Sequence, residues 1–189
     1  MAPEGRVSPR HRVAPHDARY GAVLILLIEG SVPERRLELP LIVRADDGTT
    51  HGGQIGLPGG GFEPGDSFPV ATALREAEEE IALPPTSVQV PGALTPLYIP
   101  PSNFCVHPFV GRATSVPDLH PTDEEVGQVL QVPLALLLDP ATQQTEMRRL
   151  DDTDIEVPYY AVAGHTVWGA TAMMIAELLA VFRGETSTD

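Results

Sequence analysis

Glu76, Glu79 and Glu80 stand within the run Arg75-Glu76-Ala77-Glu78-Glu79-Glu80, and their spacing is the first sign of chemistry in this chain. The stretch from Val70 to Glu80 is built of strong helix formers, Asp66 or Ser67 can cap its start, and Pro84-Pro85 stops it. On a helix that turns about 100° per residue, Glu76, Glu79 and Glu80 fall at i, i+3 and i+4 and share one face, with Glu78 on the other. Carboxylates at this spacing repel one another unless a positive charge lies between them. Clustered hard oxygens are the ligands that Mg²⁺ or Mn²⁺ prefers. Arg75, four residues before Glu79, can hold that carboxylate in one rotamer without occupying the metal position. The competing reading is a solvated acidic helix face, which is common in a chain with a formal charge of −14.

The residues ahead of the helix favour the first reading. Leu57-Pro58-Gly59-Gly60-Gly61 carries almost no side chains, so its backbone can approach an ion or a phosphate closely. A glycine turn leading into an acidic helix resembles the box of the Nudix hydrolase family, G-x5-E-x7-R-E-U-x-E-E-x-G-U. Gly61, Arg75, Glu76, Ala77, Glu79, Glu80 and Leu83 match it at the right spacing. Ser67 stands at the place of the first Glu, which is usually structural in the family, and Ala82 at the place of the last Gly. An Ala in a left-handed helix end costs on the order of 1 kcal/mol, so this stop is expected to be shaped differently.

Just upstream, the chain resembles the coenzyme A diphosphatase branch of that family, whose motif has the form L-R-x-H-x-G-x-V-x-F-P-G-G-x-x-D-x-x-D. His51, Gly53, Ile55, Pro58, Gly59, Gly60 and Asp66 match, with Glu63 for the first Asp. Gly48 and Thr49 replace Leu-Arg, and Leu57 replaces Phe. A guanidinium at that place would bind substrate phosphate, and Arg44 at a nearby strand end is the candidate to compensate.

The elements that must position these residues follow from apolar patterning. Ala22 to Ile28 reads as a central strand with Leu39 to Arg44 as its neighbour, a loop over Gly30 to Arg36 between them, and a turn at Asp46-Asp47-Gly48. Tyr98 to Phe104 is a Pro-rich loop before a strand from Val106 to Val110. By resemblance it lies opposite the box, which makes Asn103 and Phe104 candidates for packing on or bonding to a ligand; otherwise Pro-Pro-Ser-Asn is simply a turn. In Asp123-Glu124-Glu125-Val126, Glu125 is preferred over Glu124 as a further carboxylate of the site, the alternative being a solvated acidic loop. A short helix runs through Leu138. Val157 to Tyr160 and His165 to Ala172 resemble the branch's closing strand and helix; the helix runs to about Phe182, its apolar residues belong to the core, and Thr166 caps it.

The 189 residues suit one domain over 19–184, between a Pro- and Arg-rich tail over 1–18 and a short tail over 185–189. The acidic balance argues against nucleic acid or an acidic membrane as partner. All 12 basic residues counted with Lys are Arg, so an anionic substrate must be held by a few local guanidiniums plus metal. Cys105 is alone, which suits a reducing, cytoplasmic interior. No apolar run reaches the roughly 18 residues that a membrane span needs, and no cleavage site follows Ala22 to Ile28 as it would a signal peptide. Dinucleotide, P-loop and zincin motifs are missing.

The resemblance implies an α/β/α sandwich, a mixed sheet between helices with the box as loop-helix-loop. It also implies a Mg²⁺- or Mn²⁺-dependent pyrophosphohydrolase that cleaves coenzyme A or acyl-coenzyme A to 3′,5′-ADP and 4′-phosphopantetheine or its acyl form. Glu76, Glu79 and Glu80 would be metal ligands with the Gly60 or Gly61 carbonyl, and Glu79 or Glu125 the base. Arg44, His51, Gly59, Gly60, Asn103 and Phe104 would face substrate. Two rivals stand beside this: the same chemistry on ADP-ribose, a dinucleoside polyphosphate or a damaged nucleotide, and a non-catalytic nucleotide-binding module. Such modules usually lose the box glutamates, which are intact here. Homodimers are frequent among Nudix enzymes, and nothing in the chain identifies an interface.

Overall fold

The computed structural model describes residues 14–30, 37–46, 48, 52–67, 69–150 and 153–185. His51, Thr49, most of the expected 30–36 loop and the greater part of both tails lie outside the described residues.

β1 (Arg19–Glu29) is the axis of the molecule. It pairs parallel with β7 (Phe104–Ala113), and antiparallel with β2 (Leu37–Arg44) at one end and β4 (Gly59–Gly61) at the other. β3 (Ile55–Gly56) and β8 (Val126–Pro133) add to β2, while β5 (Val88–Ala93) and β6 (Leu97–Ile99) add to β7, giving a mixed eight-stranded sheet.

The period-two alternation of β1 divides the core in two. Ala22, Leu24, Leu26 and Ile28 pack with Ala73, Ala77, Ile81 and Leu83 of helix α1 (Pro69–Ile81) and the turn after it. On the other face Ile25, joined by Leu39, Leu41 and Val106, meets α2 (Leu134–Leu138) and α3 (Gly169–Phe182). The sheet therefore lies between helices, as the α/β/α reading requires. Each fully buried Leu or Ile contributes about 1.5–3 kcal/mol, so register on β1 is firmly set. Among the described residues no helix is long and apolar enough to cross a membrane.

Three features depart from expectation. A second sheet of β9 (Gln143–Leu150), β10 (Thr153–Val162) and β11 (His165–Val167) flanks α3. Its first strand has no buried side chain among those described, so it carries no apolar alternation to read. Thr166 does not cap α3: it lies in β11 opposite Ala161, and the cap position is Trp168, which makes no side-chain bond.

The end of α1 is the third. Ala82 adopts the left-handed conformation (φ 59°) in spite of its Cβ. The cost is offset because the last carbonyls of α1 are all bonded. The amides of Ala82 and Leu83 donate to Glu78 and Ala77, at 3.1 and 3.3 Å. The amides of Thr122 and His120 donate to Glu80 and Ile81, at 3.2 and 3.4 Å, and the Thr122 hydroxyl donates to the Glu79 carbonyl. The loop before β8 is thus bound to the helix that carries the glutamates.

Candidate active site

Two glycines fix how α1 meets the sheet. Gly60 lies opposite Ala22 of β1, and a Cβ on it would fall on the Glu76 carboxylate. Gly59 has φ +152°, and a Cβ there would collide with the Ala22 carbonyl and the Val23 backbone. The bare glycine backbone packs closely against β1 and the carboxylate of Glu76.

Arg75 gathers the rim of the site. Its Nε and Nη2 donate to Asp66 (3.2 and 3.3 Å), Nη2 also to Glu76 Oε1 and the Gly61 carbonyl (both 3.0 Å), and Nη1 to Glu79 Oε2 (2.8 Å). Asp66 accepts from the Thr72 hydroxyl at 2.8 Å and the Glu63 amide at 3.1 Å as well. The Arg75 bond, followed by those amide and hydroxyl donors, holds its carboxyl down at about 2, and Asp66 in turn raises the Arg75 guanidinium. Burial raises Glu76 against the lowering effect of Arg75.

Glu80 is in the opposite situation. It is 6% exposed, and among the described residues the one bond to its carboxylate comes from the Gly59 amide, at 2.8 Å. Burial pushes it up to about 7, opposed first by that amide. Across the cleft Arg44 Nη2 donates to Glu125 Oε2 at 3.2 Å, so two residues singled out separately from the sequence meet.

Most of these groups line one open cleft of about 610 Å³, with Asp66 and Thr72 behind it. Arg44, Gly59, Gly60, Arg75, Glu76, Glu79, Glu80, Phe104 and Glu125 border it, together with Arg19, Glu63, Ser102 and Asp123. Asn103 does not border it: its side chain accepts from Tyr98 Oη (2.9 Å) and donates to the Asp17 carbonyl (3.2 Å), pinning the turn at the start of β7. Among the described residues no three carboxylate, imidazole or thiol groups converge as a metal centre requires, because Arg75 draws Glu76 and Glu79 to one side and Gly59 holds Glu80 on the other.

Sequence reasoning missed Asp66 as the anchor of Arg75 and Arg19 as a wall of the cleft. The Asp66 contact needs the loop to fold back on the helix. Arg19 arrives by parallel pairing with Phe104, and no local pattern announces such a partner.

A cleft with many carboxylates, a bare glycine strand and few cations suits a substrate that is itself anionic and enters with a divalent ion, which is the working condition of a phosphoric-anhydride hydrolase. The chain matches the NUDIX domain family over residues 19–152. It is 36% identical over 165 residues to the Nudix hydrolase NudL of Pectobacterium atrosepticum, covering 86% of this chain and 82% of that one. The NudL of Enterobacter sp. (strain 638) is 38% identical over 164 residues, covering 85% and 81%. The fold is that of the Nudix hydrolase RenU from M. smegmatis, at TM-score 0.59 and 16% identity over 91% of this chain and 90% of that one. The chain belongs to the Nudix hydrolases. These enzymes act on pyrophosphate bonds and use divalent metal ions.

Proposed function

We propose that this hydrolase cleaves the diphosphate of coenzyme A or acyl-coenzyme A with Mg²⁺ or Mn²⁺, adding water to give 3′,5′-ADP and 4′-phosphopantetheine or its acyl form. The observation that carries the reading is the upstream run of His51, Gly53, Ile55, Pro58, Gly59, Gly60, Glu63 and Asp66 ahead of an intact box. Its described members include the glycines that meet α1 and the Asp66 that anchors Arg75.

The donor types suit a hard divalent cation, and binding one would have to draw together carboxylates that Arg75 and Gly59 hold apart. Glu76, Glu79 and Glu80 offer carboxylate oxygens from one helix, and Glu80 is a buried carboxylate with a single amide donor. Arg75 occupies the Gly61 carbonyl, which leaves that of Gly60 as the backbone oxygen of the set. When bound, the ion neutralises the diphosphate oxygens and acidifies water.

The chain's own residues do the rest. Gly59 and Gly60 let the diphosphate lie close to the strand. Arg75 holds Glu76 and Glu79 in place. Arg44 supplies the guanidinium that Leu-Arg lacks here, bonding a phosphate oxygen and releasing Glu125 as it does so. Glu79 or Glu125, both exposed at the cleft, takes the proton of the attacking water.

Product analysis after incubation with Mg²⁺ and, separately, coenzyme A and ADP-ribose tests the substrate, with chelator as control. Release of 3′,5′-ADP from coenzyme A and no cleavage of ADP-ribose is the expected result. Cleavage of ADP-ribose alone would replace the substrate and keep the chemistry.

A further inference from the structure

Three arginines border the cleft, and they differ in what neutralises them. The donors of Arg75 are taken by Asp66, Glu76, Glu79 and a carbonyl, and Arg44 is paired with Glu125. Arg19 has no carboxylate partner among the described residues: its Nη2 donates to the neutral Ser102 carbonyl at 3.3 Å. Its guanidinium carbon lies 4.9 Å from the centroid of the Phe104 ring. A cation left unpaired in a cleft bordered by Glu63, Glu76, Glu79, Glu80, Asp123 and Glu125, in a chain of charge −14, is a site for an anion.

The location says which anion. Gly60, beside the glutamates, sits opposite Ala22, and Arg19 lies three residues further along β1. At about 3.3 Å per residue the two backbone positions are roughly 10 Å apart, about the length of a nucleoside. The site is also held in place. The Arg19 amide donates to the Asn103 carbonyl at 2.9 Å, Arg19 and Phe104 are register partners, and the Phe104 ring lies where a Cβ of Gly21 would be. Stacking fixes the guanidinium plane and leaves its outer donors to the cleft.

We propose that Arg19, stacked on Phe104, forms a second anion subsite that binds a phosphate monoester on the nucleoside end of the substrate. The subsite rests on the coenzyme A reading, in which the 3′-phosphate supplies that group, and it separates coenzyme A from diphosphates that lack it.

Binding without turnover tests this. Calorimetry on the full chain in chelator compares adenosine 3′,5′-bisphosphate with adenosine 5′-monophosphate, for wild type, Arg19→Gln and Arg112→Gln. Arg112 is an exposed arginine paired with Glu29 away from the cleft, and controls for net charge. Wild type and Arg112→Gln are expected to prefer the bisphosphate about tenfold, the effect of one good charge-assisted contact, and Arg19→Gln to bind both nucleotides equally. No preference in wild type, a preference that survives in Arg19→Gln, or equal loss in Arg112→Gln overturns the subsite. Because no bond is cleaved, this outcome is separate from whether coenzyme A is a substrate.

Discussion

Asp66 and Glu80 lie at the two ends of one loop-helix segment, and their surroundings treat the same functional group in opposite ways. Asp66 receives two guanidinium bonds, a hydroxyl and an amide, and its carboxyl is held at about 2. Glu80 is buried with one amide donor and is pushed up to about 7. A carboxylate has about four lone-pair positions to satisfy. At Asp66 they are filled from within the chain, so the group is a strut that fixes Arg75. At Glu80 most are left over, so the group keeps capacity for a cation. The difference between the two acids lies in donor count, not in residue type.

The largest expected effect comes from removing the unsatisfied member. Glu80→Gln keeps the carbonyl oxygen that Gly59 can bond but loses the charge a cation needs, and loss of several kcal/mol of transition-state stabilisation is about a thousandfold in turnover. Its stability should change the other way. The folded value of Glu80, about 7, is above the ordinary 4.5, so between these pH values the folded chain binds more protons than the unfolded one. The associated stability is present below pH 4.5 and is lost as pH rises through 7, by up to about 3 kcal/mol. In chelator, Glu80→Gln should therefore melt higher than wild type at about pH 8 and no higher at about pH 4. Superimposed melting curves across that range would remove burial as the cause.

Arg75→Met strikes the satisfied member. It strips donors from Asp66, Glu76, Glu79 and the Gly61 carbonyl at a side chain 23% exposed. Breaking a well-buried pair costs about 3–5 kcal/mol, and partial exposure reduces that to about 2–3. The acid limb changes too. In wild type the Asp66 contribution is present above 3.8 and is lost as pH falls towards about 2, and without Arg75 that loss shrinks. Thermal unfolding at neutral pH and near pH 3 measures both. A melting point lowered by under about 2 °C at neutral pH would show that the carboxylates find other donors.

The contrast also marks what the sequence could reveal. The helix expected over Val70 to Glu80 is Pro69–Ile81, because composition and the spacing of Glu76, Glu79 and Glu80 are local properties. The central strand was visible for the same reason: a run of buried apolar residues needs no knowledge of its partners. The struts were not. Asp66 looked like a helix cap because Asp at that place usually is one, and only a folded loop turns it to Arg75. Of the two readings of Asn103, a turn residue or a ligand contact, the structure shows the turn, left-handed and with the side chain spent on Tyr98 and Asp17. Thr166 looked like a cap because hydroxyls are the usual caps, and the position fell to Trp168 once the chain paired as β11.

The smallest expected effects are at the cleft rim, and they bear most directly on why Glu80 differs from Asp66. Arg44 and Glu125 are paired at 3.2 Å with side chains 42% and 70% exposed, so deleting either changes stability by under about 1 kcal/mol. Yet each acts on Glu80 through space with opposite sign, Arg44 lowering and Glu125 raising its pKa after burial, the Gly59 amide and Glu76 have acted. In chelator, Arg44→Gln should move the midpoint of the neutral-pH stability slope upward, and Glu125→Gln should move it downward. Shifts of the same sign would mean that the variants act by loosening the loop before β8. Opposite shifts would show that the charge of Glu80 is set by burial and trimmed by its rim, whereas Asp66 draws its shift from the donors that enclose it.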